Sequence, residues 1–112
     1  MAGESLFGVH GAALQVRSQR MGILASNIAN SSTPGFKARD LDFTKAMQSL
    51  EGGGGVDVAT GYRVPTQTSM DGNTVELSHE QTAFAENAIQ YQTTLSFLNG
   101  RISQVTRALK GE

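Results

Sequence analysis

Two histidines and a close pair of aspartates are the residues of this 112-residue chain best suited to chemistry. His10 and His79 are the types that ligate metals or move protons near neutral pH, and Asp40 with Asp42 has the form of a carboxylate pair for acid–base work. Their surroundings argue against both roles. The histidines stand at opposite ends of the chain, and neither has a second His or a carboxylate at metal-ligand spacing. Both read as surface or interface residues, His79 with Glu80 being first-turn helix composition. Asp40 and Asp42 have no base or metal pattern nearby and read as helix-start residues. Asn30-Ser31-Ser32 has the glycosylation form, a three-residue match of little weight. The chain has no cysteine, so thiolate chemistry, disulfides and Cys-bound metal are excluded and either redox compartment suits it. The expectation is a protein with no catalytic site, no metal and no cofactor.

Composition narrows the field further. Hydrophobic residues make up 38% and thirteen glycines add no side chains to bury, which predicts one domain with a thin core. A charged fraction of 17% and a net charge of -1 give no electrostatic case for nucleic acid. The opening "MAGESLFGVHGAALQVRSQR" lacks the basic start and unbroken apolar run of a cleaved secretory signal, and no stretch reaches transmembrane length.

The elements follow from periodicity. Between Ser5 and about Asn30, Phe7, Leu14, Met21 and Ile28 recur every seven residues, with Leu24 on the same face. Val9, Val16 and Ile23 form a second stripe, about 200° around at roughly 100° per residue, so this helix is expected to seek neighbours on both sides. The carboxyl-terminal half carries a longer seam. Leu77, Phe84, Tyr91, Leu98 and Val105 occupy one heptad position, and Gln81, Ala88, Leu95, Ile102 and Leu109 the other. Ser78 with Gln81 has the form of a capping box, and Lys110-Gly111 that of a helix end. Between the two helices, Phe43, Ala46, Met47 and Leu50 predict a short helix capped by Asp42. Gly52 to Gly55 read as a flexible linker, and the stretch to Leu77, with Pro65 and a turn at Asp71-Gly72, as extended pieces with little burial.

The predicted fold is therefore mainly α. Long N- and C-terminal helices pack as an antiparallel, coiled-coil-like hairpin, with a short middle helix and a small extended or β loop region. Residues 1–50 and 74–112 form one discontinuous helical unit, and residues 51–73 the connection. A single seam is too little to hold so long a helix, so the apolar stripes Phe7, Leu14, Met21, Leu24, Ile28, then Val9, Val16, Ile23, and Phe84, Ala88, Tyr91, Leu95, Leu98, Ile102, Val105, Leu109 are read as helix–helix and assembly surfaces.

The corner after the first helix is the most distinctive stretch. In "LASNIANSSTPGFKARDLDF", Asn27 and Asn30 flank Ile28 where amides can satisfy terminal carbonyls, and Thr33-Pro34-Gly35 fits a type II turn. The segment Asn27, Ile28, Asn30, Thr33, Pro34, Gly35, Phe36 and Lys37 resembles the signature of the flagellar basal-body rod and hook-type axial protein family. "KARDLDF", "YRVPTQTSMDGNTVELSHEQTAFAENAIQYQ" and "LNGRISQVTRALKGE" extend the likeness, which is to the proximal rod members. The Gly52–Gly55 region departs from it, because the family resemblance implies a longer middle segment there.

This resemblance implies a non-enzymatic structural subunit that polymerises through its terminal helices into the rod crossing the periplasm. The implied partners are copies of itself, other rod proteins, and membrane-ring and export-gate proteins at the rod base, with no nucleic acid or small-molecule substrate. It also implies export by the flagellar type III apparatus without a cleaved signal. Two other readings stand beside it: another rod or adaptor subunit of the same family, and an unrelated helical-hairpin adaptor or chaperone.

Overall fold

The computed structural model describes residues 2–55, 59–65 and 69–111, residues 2–7 in backbone only. Its elements in chain order are α1 (Ala2–Ala29), β1 (Arg39–Leu41), α2 (Phe43–Glu51), β2 (Thr60–Tyr62) and α3 (Leu77–Lys110). The two long helices run antiparallel, as the contacts Asn27–Glu80, Arg17–Gln90 and His10–Phe97 show by their opposed order. β1 and β2 form a two-stranded antiparallel sheet with Asp40 opposite Gly61. The described chain measures 64 × 27 × 17 Å with a radius of gyration of 17.6 Å, against about 13 Å for a compact domain of this length. Among the described residues no helix is long and apolar enough to cross a membrane.

The core is thin, as its composition requires. Val16 and Leu24 are its only large apolar side chains with no exposure among the described residues; most of the rest is alanine. Val16 joins Leu41, Ala46 and Ala59 in one cluster, with Ile23, Phe43, Met47 and Leu50 packed around it. This corrects the expectation that the second stripe of α1 waits for other molecules. Val16 and Ile23 are covered by α2 and the strands of the same chain, whereas Val9 stays 46% exposed.

The amphipathic α2 forms as its spacing predicts. Asp42 accepts from the Lys45 N–H at 3.1 Å, and Ala46 is fully buried. The glycine run after it is partly a helix terminus rather than a loose linker. Gly52 donates its N–H to the Gln48 carbonyl, Gly53 has φ +83, and Gly54 donates to Ser49 at 2.8 Å. The carbonyls left open at the end of α2 draw these N–H groups in.

α3 ends at the left-handed Gly111, with Arg107 and Lys110 in its last turn, as read from the sequence. Its start differs. Glu76, not Ser78, is the N-cap, because Glu80 already donates its N–H to the Glu76 carbonyl at 2.9 Å, leaving Ser78 inside the first turn. The buried line of the first turns also runs through Glu80, Ala83 and Asn87 rather than through Leu77 and Gln81, both exposed. Small and polar side chains lie there because they meet the backbone and amides of α1 at close range. The stretch before α3 is better anchored than its weak pattern predicts: Ala59 and Asn73 are buried, at 6% and 5% exposure.

Candidate assembly surface

The corner motif is built around Asn27, which is only 1% exposed and caps nothing. Its Oδ1 accepts from the Arg39 N–H at 3.1 Å and its Nδ2 donates to the Arg39 carbonyl at 2.7 Å. A primary amide presents one donor and one acceptor side by side, so Asn27 pairs with β1 as a neighbouring peptide group would. The same Nδ2 donates to Glu80 Oε2 at 3.0 Å, tying α3 to the corner.

Glu80 is fully buried and paired. Arg63, which follows β2, places Nη1 on Glu80 Oε1 and Nη2 on Asp40 Oδ2, the latter at 2.7 Å. Arg20 of α1 grips Asp40 from the other side, with Nε at 2.9 Å and Nη2 at 3.1 Å. Asp40 is thus a β1 residue held by two guanidiniums, not the helix-start residue its sequence context predicts. Burial pushes its carboxyl up, but the hydrogen bonds from Arg20 and Arg63 outweigh that and leave it below the ordinary 3.8. The bond to Asp40 in turn raises Arg20. Arg17 is lowered by burial and by the charge of Arg20; it lies 4.5 Å over the Phe43 ring and donates to Gln90 at 2.8 Å.

Asn30 does cap. Its Nδ2 donates to the Ser26 carbonyl at 2.8 Å, and its Oδ1 accepts from Thr33 Oγ1 at 3.1 Å. Phe36 N–H to the Thr33 carbonyl at 3.2 Å and φ +74 at Gly35 give the predicted type II turn. Asn73 completes the corner from across the chain. Its Nδ2 donates to the carbonyls of Asn30, Ser31 and Thr33, at 2.9, 3.2 and 2.7 Å. Gly35 donates its N–H to the Asp71 carbonyl, Thr74 to Phe36, and Lys37 Nζ to Gly72 O at 2.5 Å. The motif residues are therefore brought together, and they hold the chain's own corner.

The long seam divides. Leu14, Met21, Ile28, Phe84, Ala88, Tyr91, Leu95 and Leu98 are half-buried and Leu24 fully buried. The Phe7 side chain lies outside the described residues. Ile102, Val105 and Leu109 continue the same face of α3 but are 50%, 43% and 83% exposed, and every residue from Asn99 to Gly111 is exposed. Four polar residues that hold the fold were missed in the sequence: Arg63, Asn73, Glu80 and Asn87. Asn87 is fully buried and donates to the Arg17 carbonyl at 2.8 Å. A polar residue on the inward side of the α3 seam was the only signal for Glu80 and Asn87, and the extended stretch gave none for Arg63. Among the described residues no three His, Asp or Glu side chains gather as a metal site.

A family model described as flagella basal body rod protein matches residues 7–37, the first helix and its corner. Over nearly the full length the chain is similar to proteins named flagellar basal body rod protein FlgB. With that of Aeromonas hydrophila it shares 42% identity over 126 positions, covering 97% of this chain and 96% of the relative. With that of Cereibacter sphaeroides it shares 46% over 120 positions, covering 94% of each. With that of Escherichia coli it shares 40% over 121 positions, covering 88% of each.

Proposed function

Since this chain belongs to the FlgB family of flagellar basal-body rod proteins and is a structural subunit of that rod, we propose that it polymerises through the paired ends of α1 and α3. The observation that carries this reading is the exposed end of the α3 seam. Ile102, Val105 and Leu109 lie open where the upper seam is half-buried against α1. Exposed apolar side chains in register on a helix end gain about 1.5–3 kcal/mol each when fully covered. Copies of the same chain and other rod subunits are the partners that cover them.

In this reading the assembly unit is residues 1–50 with 74–112, while residues 51–73 bridge its two halves on one flank. The subunit reaches its place by the flagellar export route without a cleaved signal, in a rod that crosses the periplasm. At the rod base it meets export-gate and membrane-ring proteins. Thin cores and glycine-weakened helices suit such transit, because a helix with few partners is marginal in water and orders on assembly.

Sedimentation of the full chain across a concentration series tests polymerisation, with Leu109→Asp as the comparison. The parent chain is expected to form sedimenting polymer and the variant to remain dispersed. Equal polymer from both would remove the α3 end from the mechanism. A strain lacking the gene is expected to be non-motile, and a swimming deletion strain would end the rod reading itself.

A further inference from the structure

Between the amino-terminal part of α1 and the end of α2 lies an open groove of about 380 Å³, lined by Gly8, Val9, Ala12, Met47, Leu50 and Glu51. Apart from Glu51 its lining is uncharged and largely apolar. A Cβ placed on Gly8 meets nothing within 4 Å, so the floor is accessible from outside. α3 lies on the other flank of α1. His10, which stacks with Phe97 of α3 at 4.6 Å between ring centroids, stands two residues, about 200° of helix, from Ala12 in the groove.

The exposed end of α3 is complementary to this groove. Leu109 and Val105 supply apolar side chains. From Arg101 to Glu112 the sequence holds three basic residues, Arg101, Arg107 and Lys110, against one acidic side chain, Glu112. Glu51 closes the groove at the carboxyl end of α2, where the helix dipole also favours cations.

We propose that the groove receives the carboxyl-terminal end of α3 from a second copy of this chain, with Leu109 and Val105 on Val9, Met47 and Leu50, and Lys110 beside Glu51. This rests on the rod reading and gives it a specific contact. An amphipathic helix end in an apolar groove is a common recognition mode. The contact joins two unlike patches, the end of one copy and the groove of another, so each copy can offer its end to one neighbour and its groove to a second. Such contacts propagate into rings or helical arrays instead of closing as a two-fold dimer.

The absence of cysteine makes the test clean. Sedimenting polymer of the full-length Leu50→Cys, Leu109→Cys double variant, oxidised and run without reductant, is expected to give a ladder of dimers, trimers and longer species. A mixture of the two single variants is expected to stop at the dimer. Gly8→Phe, added to the double variant, fills the groove from a position open to solvent. It is expected to leave the monomer's helical signal and melt unchanged while abolishing the ladder. A second pair, Met47→Cys with Val105→Cys, guards against local disruption at Leu50. Sedimenting polymer that yields no ladder from either pair would overturn the groove contact while leaving the rod reading intact. A ladder that survives Gly8→Phe would overturn it as well.

Discussion

Asn27 on α1 and Arg39 on β1 exchange two hydrogen bonds through a single side-chain amide, at 3.1 and 2.7 Å. The helix thereby acts as one more neighbour of the strand, and the corner between them has a fixed angle. Asn27→Asp keeps the shape but removes the donor, leaving the Arg39 carbonyl unpaired and setting a carboxylate against Glu80. The expected loss is about 2–3 kcal/mol of stability, read from urea unfolding of the monomer. An unchanged midpoint would show that the clamp contributes nothing.

Arg63 carries the only charge that a described contact sets against the fully buried Glu80 carboxylate. Arg63→Ala strands that charge and is expected to cost about 3–5 kcal/mol, whereas replacing both partners by apolar residues, Arg63→Met with Glu80→Leu, is expected to recover most of it. A double-mutant cycle on urea midpoints measures the coupling. Additive losses would mean that the two side chains do not act as a pair.

The depressed Asp40 carboxyl gives the fold an acid limb. Its folded value lies below 3.8, the ordinary value it regains on unfolding. Its contribution is therefore fully present above pH 3.8 and is lost as pH falls through the lower folded value. Thermal melts from pH 7 downward are expected to show a steep drop in Tm below about pH 4. Asp40→Asn should flatten that drop while lowering Tm at neutral pH. Parallel curves for the two proteins would place the acid sensitivity elsewhere.

Gly35 holds φ +74, and a Cβ there meets nothing within 4 Å. The penalty for a side chain is thus backbone strain and not collision. Gly35→Val is expected to cost about 1–3 kcal/mol and Gly35→Asn less, since Asn tolerates the left-handed region. Cells carrying Gly35→Val are expected to swim poorly, because the corner sets the direction of the chain out of α1. Full motility would show that the rod tolerates a distorted corner.

How much of this was legible in the sequence depends on the range of each interaction. Local signals read well: the Asp42 cap, the Thr33–Phe36 turn, the Gly111 terminus and the helical spacing of α1, α2 and α3 all depend on residues within one turn of each other. In the corner, the turn and the Asn30 cap were legible, and only the role of Asn27 was misread. Asn27 looks like a helix cap because it lies two residues from the helix end, and its real partners, Arg39 and Glu80, stand 12 and 53 residues away. Arg63 and Asn73 were invisible for the same reason. The second stripe of α1 was correctly seen as apolar, but periodicity reports that a face is covered and not by what; α2 proved to be the cover for Val16 and Ile23.

The division of the α3 seam makes the final prediction. Up to Leu98 the inward face is buried or half-buried against α1, while from Asn99 to Gly111 every residue is exposed. Helix without tertiary cover is marginal in water, so those last turns are held mainly by continuity with the rest of α3. In dilute monomer, hydrogen exchange is expected to show strong amide protection between about Ala83 and Leu95 and a steep fall beyond Leu98. On polymerisation the protected region should extend toward Leu109, and Leu109→Asp should block that extension without altering the upper turns. Uniform protection from Leu77 to Lys110 in dilute monomer would mean that the end of α3 is stable without a neighbour. The exposed seam would then lose its standing as the surface on which assembly depends.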